Sequence, residues 1–471
     1  MEPRRRDTRS DRLSPQGSAN GRSATGRALV IEPVLRRPRG ALDQRSPQAR
    51  LDEAIGLASA IDLEVEQSGI VMLGALRPAT YLGKGKVEEI SGLVKSFAAG
   101  IVVMDCALSP VQQRNLEKAW NAKVVDRTGL ILEIFGRRAR TREGALQVEH
   151  AHLTYQKSRL VRSWTHLERQ RGGFGFLGGP GETQLEADRR MIEERLAKIE
   201  AELAKVKRTR ALHRDSRRRV PYPIVALVGY TNAGKSTLFN RMTAASVLST
   251  DMLFATLDPT LRGVALPHGA RIILSDTVGF ISDLPTMLIA AFRATLEEVV
   301  EADVILHVRD VSHEDAEAQL HDVEKILREL GIDPHGDGGR KRSLIEVWNK
   351  IDRLDEAERA RLYNIAERRP AAERPALVSA VTGEGIETLA AAIEARLAAG
   401  RVLVDVELDP ADGAGVSWLH RHTEVIRKSI DAHGRVAMTV RVDPERAQAV
   451  RTRFAEAGTA NTEWRVANGE K

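Results

Sequence analysis

Residues 229–236, Gly229-Tyr230-Thr231-Asn232-Ala233-Gly234-Lys235-Ser236, stand directly behind the apolar run of residues 224–228. Glycines at Gly229 and Gly234 permit backbone conformations that a Cβ would block, so successive N–H groups turn inward onto one anion. Lys235 then sets a point charge among the outer phosphates of a nucleotide, and the Ser236 hydroxyl is a magnesium ligand. The bland alternative is a strand-to-helix turn that binds nothing; strand, loop and the Lys-Ser pair together favour the phosphate loop. The fold class expected from this junction is α/β, a mostly parallel sheet flanked by helices over residues 221–399.

The loop does not choose between ATP and GTP. Asn349-Lys350-Ile351-Asp352 follows the apolar run 344–348, which reads as a buried strand ending where ligands bind in an open parallel sheet. The Asp352 carboxylate can accept from the N1–H and the exocyclic amine of guanine, whereas adenine would leave it unpaired. Asn349 is expected to tie this loop to the phosphate loop, with the Lys350 stem along the base. Ser379-Ala380-Val381, after the short run 376–378, places backbone N–H groups near the guanine carbonyl.

Between them, residues 272–280 read as a strand ending in Asp276-Thr277-Val278-Gly279-Phe280. Asp276 is expected to hold magnesium through a water, and the Gly279 N–H to sense a terminal phosphate. Upstream, Phe254-Ala255-Thr256-Leu257-Asp258-Pro259-Thr260 lacks helical periodicity, as a mobile segment would. Thr256 is the choice for the second magnesium hydroxyl, with Thr260 its competitor and an ordinary loop the alternative. Lys235, Thr256 and Gly279 are the expected catalytic contacts.

These segments resemble a translation-factor-class GTPase domain. Residues 254–259 with 276–280 narrow the likeness to the HflX family of the Obg-HflX superfamily. Two stretches outside that domain look like family signatures: 172–190, GGFGFLGGPGETQLEADRR, and 82–89, LGKGKVEE. The likeness extends from about residue 27 to the mid-400s. It implies a ribosome-associated GTPase that binds the large ribosomal subunit and its rRNA and splits ribosomes under stress.

Small signalling GTPases carry a water-orienting Gln where this chain has Phe280, which cannot hydrogen-bond to water; the resembled family shares that replacement. Intrinsic hydrolysis is therefore expected to be slow, with the missing group supplied by another residue, a monovalent cation or the ribosome. Asn232 matches the Asn that binds potassium in some related GTPases, although Asn in a tight loop also serves its backbone. Magnesium is the expected cofactor and potassium a second candidate.

Composition sets outer bounds. The chain has 471 residues, enough for several domains, and its single cysteine, Cys106, excludes an internal disulfide or a multi-cysteine zinc site. No apolar stretch approaches the roughly 20 residues that span a bilayer; the single cysteine fits a reducing cytoplasm, and the resemblance implies partial association with ribosomes. Residues 1–26 are Arg- and Ser-rich and read as a disordered basic tail; a mitochondrial presequence is the alternative, weakened by Glu2, Asp7 and Asp11.

The net charge of +6 points weakly to a polyanion, and its location says more. Leu146, Leu153, Leu160 and Leu167 recur every seven residues. So do Leu185, Ile192, Ile199 and Val206, with Leu196 and Leu203 between. That is the seam of an antiparallel helical hairpin over 139–220, each helix reaching roughly 40 Å. Thr183 and Glu186 form a capping box expected to start its second helix. The tip is glycine-rich, and Arg159, Arg162, Arg169, Arg171, Arg189 and Arg190 flank it, with a second basic run at 208–219. Arg169, Arg171, Gly172, Gly173, Gly175, Gly178, Gly179, Arg189 and Arg190 are the candidate RNA contacts, since arginine pairs with phosphate and stacks on bases. The alternative is a hairpin that docks a protein.

Residues 27–138 read as an α/β domain, in which Gly83-Lys84-Gly85-Lys86 looks more like a basic turn capping a helix than a nucleotide loop. Residues 400–471 read as a small α+β module whose task is not legible. Three function classes stand: a GTP-driven ribosome factor; a GTPase of ribosome assembly or tRNA maturation; and a switch acting on a protein without RNA. A monomer is expected.

Overall fold

The computed structural model describes residues 26–36, 45–170, 180–217, 222–244, 253–254, 256–257, 259–267, 269–284, 288, 296–333, 343–398, 402–430, 435–442, 444–455 and 464–466. The first unit alternates β1 (Arg27–Leu35), α1 (Pro47–Ser59), β2 (Glu64–Leu73), α2 (Lys84–Ser96), β3 (Ile101–Met104), α3 (Pro110–Trp120), β4 (Lys123–Asp126) and α4 (Arg127–Arg138). Its strands run parallel in the order β2-β1-β3-β4. Seven consecutive residues of β1 are buried, as a strand covered on both faces requires. Local chemistry starts the helices. Ser46 caps α1, Ser109 and Gln112 form a capping box on α3, and Asp126 accepts from the Gly129 N–H at the head of α4. Gly83 precedes α2, so the Gly-Lys-Gly-Lys stretch does open a helix.

Two long helices follow, α5 (Arg142–Gln170) and α6 (Pro180–Arg217), of 29 and 38 residues. At 1.5 Å per residue they extend roughly 44 and 57 Å. Leu146 and Ile199 are buried in their seam, and Leu153, Leu160, Ile192, Leu196, Leu203 and Val206 are half-buried. Arg142–Glu202, Arg195–Glu149, His150–Glu200 and Lys157–Glu193 bridge the helices at 2.7–3.2 Å. From Arg142–Glu202 at one end to Lys157–Glu193 at the other the partners run in opposite senses, as an antiparallel pair requires. Such exposed pairs contribute little stability. The base of the arm is anchored by Tyr155 and Arg159, which both donate to Asp126. The second helix begins at Pro180, three residues ahead of the expected Thr183 cap. Proline at a first helical position has no N–H to lose and a φ suited to the helix.

The third unit comprises β5 (Ile224–Gly229), α7 (Lys235–Thr243), β6 (Thr260–Ala265), β7 (Arg271–Asp276), α8 (Glu297–Glu301), β8 (Val304–Asp310), α9 (Ala316–Glu329), β9 (Ser343–Asn349), α10 (Glu356–Glu367), β10 (Ala376–Leu377) and α11 (Ile386–Ala398). The sheet order is β10-β9-β8-β5-β7-β6, parallel except for the β6–β7 pair. One of its faces shares a continuous core with the first unit: Leu51, Leu57, Ile131 and Phe135 belong to the same cluster as Phe254, Val278, Phe280 and Ile281.

The last unit is β11 (Val402–Leu408), α12 (Gly413–His422), β12 (Glu424–Ile430), β13 (Val436–Val442), α13 (Pro444–Ala455) and β14 (Trp464–Val466), an antiparallel sheet in the order β12-β13-β11-β14. Burial alternates along β11 and β13, the signature of a one-sided sheet. Among the described residues no helix is long and apolar enough to cross a membrane.

Candidate nucleotide site

The carboxyl ends of β5, β7 and β9 bring Gly229, Asp276 and Asn349 to one edge of the sheet, the position where an open α/β fold binds ligands. Between β5 and α7 the loop turns through left-handed residues at Asn232 (φ 60°) and Gly234 (φ 91°). A Cβ on Gly234 would fall 2.2 Å from Asn349 Nδ2, so no other residue fits there. Asn232 thus has a backbone reason for being Asn, independent of any cation.

Lys235 is buried, and its Nζ donates to the carbonyls of Gly229 (3.1 Å) and Tyr230 (2.7 Å), curling back over the loop. Burial pulls its ammonium down to about 8, with Asp276 opposing and Lys350 adding to the fall. The chain after β7 zips onto the loop: the Thr231 N–H donates to the Phe280 carbonyl (2.7 Å) and the Phe280 N–H to the Gly229 carbonyl (3.0 Å). Gly279 is thereby pressed against the loop. A Cβ there would lie 2.9 Å from Thr231 Cα and 3.1 Å from Lys235 Nζ. Thr277 and Val278 are buried, the Thr277 hydroxyl donating to the Leu227 carbonyl.

Three side chains meet beside Lys235. Ser236 Oγ and Thr256 Oγ1 are 2.9 Å apart, and both donate to Asp276 Oδ2, at 2.7 and 3.1 Å. Octahedral magnesium with bonds near 2.1 Å sets adjacent ligands about 3.0 Å apart, which the two hydroxyls match. Asp276 Oδ1 is buried with no hydrogen-bond partner, an acceptor suited to a metal-bound water. Burial pushes the Asp276 carboxyl up while Ser236, Lys235 and Thr256 pull it down. The donor set fits magnesium. Thr260 instead begins β6, opposite Asp276 in the antiparallel register. Phe254 adopts a left-handed backbone (φ 55°) and, like Leu257, is buried. Ala255 and Asp258 lie outside the described residues.

On the base side Asn349 is buried; its Nδ2 donates to the Ala233 carbonyl (2.8 Å), and its Oδ1 accepts from the Ala380 N–H (3.0 Å). One side chain therefore joins the phosphate loop, its own loop and the Ser379-Ala380-Val381 loop. Lys350 is left-handed (φ 68°), with Nζ on Asp310 Oδ2 at 2.6 Å. Ile351 is buried, and exposed Asp352 accepts from the Ser379 hydroxyl at 2.5 Å. Val381 is exposed. Sequence reasoning missed Arg241, which donates to the Ala380 (3.2 Å) and Val381 carbonyls and braces this loop from α7; an Arg late in a helix carries no signal of such a role.

Phe280 is 1 % exposed and sits in the shared core, so its ring is withdrawn from the phosphate side. On the arm, Arg189 and Arg190 are exposed, Arg189 pairing with Glu193 and Arg190 with Glu194. Arg171, Gly172, Gly173, Gly175, Gly178 and Gly179, and the side chain of Arg169, lie outside the described residues.

Four family models match in sequence: a GTP-binding GTPase N-terminal region at 48–136, a GTP-binding GTPase middle region at 138–217, a 50S ribosome-binding GTPase at 224–350 and an HflX C-terminal domain at 364–464. GTPase HflX of Magnetococcus marinus is 52 % identical over 381 residues, 80 % of this chain and 85 % of that protein. GTPase HflX of Escherichia coli is 43 % identical over 392 residues, 83 % and 89 % of the two chains. A crystal structure of a GTP-binding protein from Sulfolobus solfataricus in complex with GDP aligns over 78 % of this chain and 98 % of its own, at 21 % identity and a TM-score of 0.41. With four models in register along its length and these relatives, the chain belongs to the HflX family of GTPases.

Proposed function

We propose that this GTPase acts on the large ribosomal subunit, entering it with the helical arm in the GTP-bound state and splitting or rescuing ribosomes under stress, with hydrolysis as the release step. The observation that carries the reading is the arm itself. Two helices of 29 and 38 residues, packed through an apolar seam, bear the exposed Arg189 and Arg190 and flank a stretch with the composition of an RNA-contacting loop. Its bonds to Asp126 hold it to the first unit, whose core is continuous with that of the nucleotide-binding unit.

In this reading Lys235 and the N–H groups of the 229–236 loop would hold the phosphates, Ser236 and Thr256 would ligate magnesium, and Asp276 would hold it through a water. Asp352 reads guanine, and the Gly279 N–H meets the terminal phosphate. Magnesium supplies charge neutralisation on the phosphates. Because Phe280 is buried, water orientation comes from another group: a further residue of the chain, the ribosome or a potassium ion held near Asn232. The test is GTP turnover by the full chain with and without large subunits, at two potassium concentrations. A strong rise with subunits is expected; no rise under any condition, with nucleotide still bound, would move the partner to another RNA or a protein.

A further inference from the structure

A largely buried polar cluster lies where the first unit meets the nucleotide-binding unit. Arg127 of α4 is buried there and pairs at 2.5 Å with the largely covered carboxylate of Glu53 on α1. Arg127 also holds Asp105 (2.6 Å) and donates to the Ser282 carbonyl (2.9 Å) and hydroxyl (2.8 Å). The Ser282 hydroxyl donates in turn to Glu53 Oε1 (2.8 Å). Tyr230, the residue after Gly229, donates from its hydroxyl to Glu53 Oε2 and accepts the Ser282 N–H at 2.9 Å. Arg45 closes the ring, bonded to Glu53 (3.0 Å) and to Asp322 of α9 (2.8 Å), with its guanidinium 4.8 Å from the Tyr230 ring centre.

The Glu53 and Arg127 side chains bond none of the nucleotide-site side chains directly, yet two of their partners lie on the segments that form that site. Tyr230 belongs to the phosphate loop, and Ser282 stands three residues past Gly279. The apolar margin makes the same connection on the third segment: Phe135 of α4 packs edge-on against Phe254 at 4.7 Å, two residues before Thr256. Leu253 lies close to Gly56 of α1, where an added Cβ would sit 3.1 Å from its Cδ1. A buried ion pair adds little net stability over well-packed apolar side chains, so what this one contributes is placement.

We propose that Glu53 and Arg127 are positioning residues of the GTPase. Through Ser282 and Tyr230 they hold the Gly279 segment in the arrangement in which Ser236, Thr256 and Asp276 converge, so that docking of the N-terminal unit and binding of the terminal phosphate support one another. The inference rests on the reading of Gly279 as the terminal-phosphate contact. Linkage makes the coupling reciprocal: whatever loosens the docked unit weakens triphosphate binding and leaves diphosphate binding nearly unchanged.

The experiment uses the full chain with magnesium and measures affinity for GDP and for a non-hydrolysable GTP analogue. The variants are Ser282→Ala, Ser282→Thr, Glu53→Gln and the Glu53→Gln/Ser282→Ala pair. Ser282→Ala leaves the Glu53–Arg127 pair intact and strands no charge, so it reports even if Glu53→Gln fails to fold. Ser282→Ala is expected to weaken the analogue at least about fivefold, the lower end of typical coupling, with GDP within twofold. Ser282→Thr, which keeps the hydroxyl, restores it. Where Glu53→Gln folds, it reproduces the loss, and the double variant loses less than the product of the singles because both act through one contact. Equal shifts for both nucleotides, or none, would overturn the proposal. If Gly279→Ala weakens the analogue selectively while Ser282→Ala does not, only the positioning role fails. If Gly279→Ala has no selective effect either, the reading of Gly279 fails first.

Discussion

Asn349→Ala removes the one side chain that joins three loops, and its cost follows from what it strands. The Ala233 carbonyl loses its donor and the Ala380 N–H its acceptor, and both residues are buried. Each orphaned buried group costs about 1–3 kcal/mol, and partial entry of water puts the pair at about 2–4 kcal/mol. Felt entirely in binding, that is about a 30- to 700-fold loss of GDP affinity. Felt in folding, about 2 kcal/mol lowers Tm by roughly 4–8 °C for a domain of this size. Asn349→Asp divides the effect, since its carboxylate still accepts from Ala380 but faces the Ala233 carbonyl with no proton to donate. Calorimetric GDP titration beside a thermal melt reads both channels. GDP affinity within threefold of wild type and Tm within about 1 °C would refute the bracing argument.

Three further outcomes follow from the site. Gly279→Ala drives a Cβ against Thr231 and Lys235 Nζ, so the segment must retreat by several tenths of an ångström; affinity for a GTP analogue should fall about 10-fold or more with GDP nearly unchanged, measured by competition. Thr256→Ala should lower turnover and raise the magnesium requirement about 10-fold, whereas Thr260→Ala should change neither beyond twofold; the reverse order would make Thr260 the ligand. Lys235, with its ammonium near 8 and well below its ordinary value of 10.5, is about half neutral at pH 8, and bound phosphate restores its proton. Calorimetry in two buffers should then find about half a proton taken up at pH 8 and almost none at pH 6.5; equal uptake at both would place the titration elsewhere.

Short-range chemistry made much of this legible in the sequence. The strand 402–408 and the strand 436–442 announce themselves by alternation, and the phosphate loop by glycines whose spacing only one backbone path uses. Asn349 was readable as a tie between loops because its neighbours in sequence already identify the site. The cluster around Glu53 was not legible. Its bonds between the two units join residues 155 to 277 positions apart, and Glu53 and Arg127 look like ordinary helix charges until the fold brings them together. The left-handed Phe254 was equally hidden, since a bulky residue is an unexpected occupant of that conformation and packing on Phe135 accompanies it. The start of α6 went astray because proline and the Thr183 cap are competing initiation signals only three residues apart.

Co-sedimentation of the full chain with large ribosomal subunits, with a non-hydrolysable GTP analogue or GDP and across rising salt, tests the central claim most directly. The account predicts binding with the analogue, much less with GDP, and a steep loss as ionic strength rises, because arginine contacts to rRNA release counterions. Binding indifferent to the nucleotide, or insensitive to salt, would contradict it.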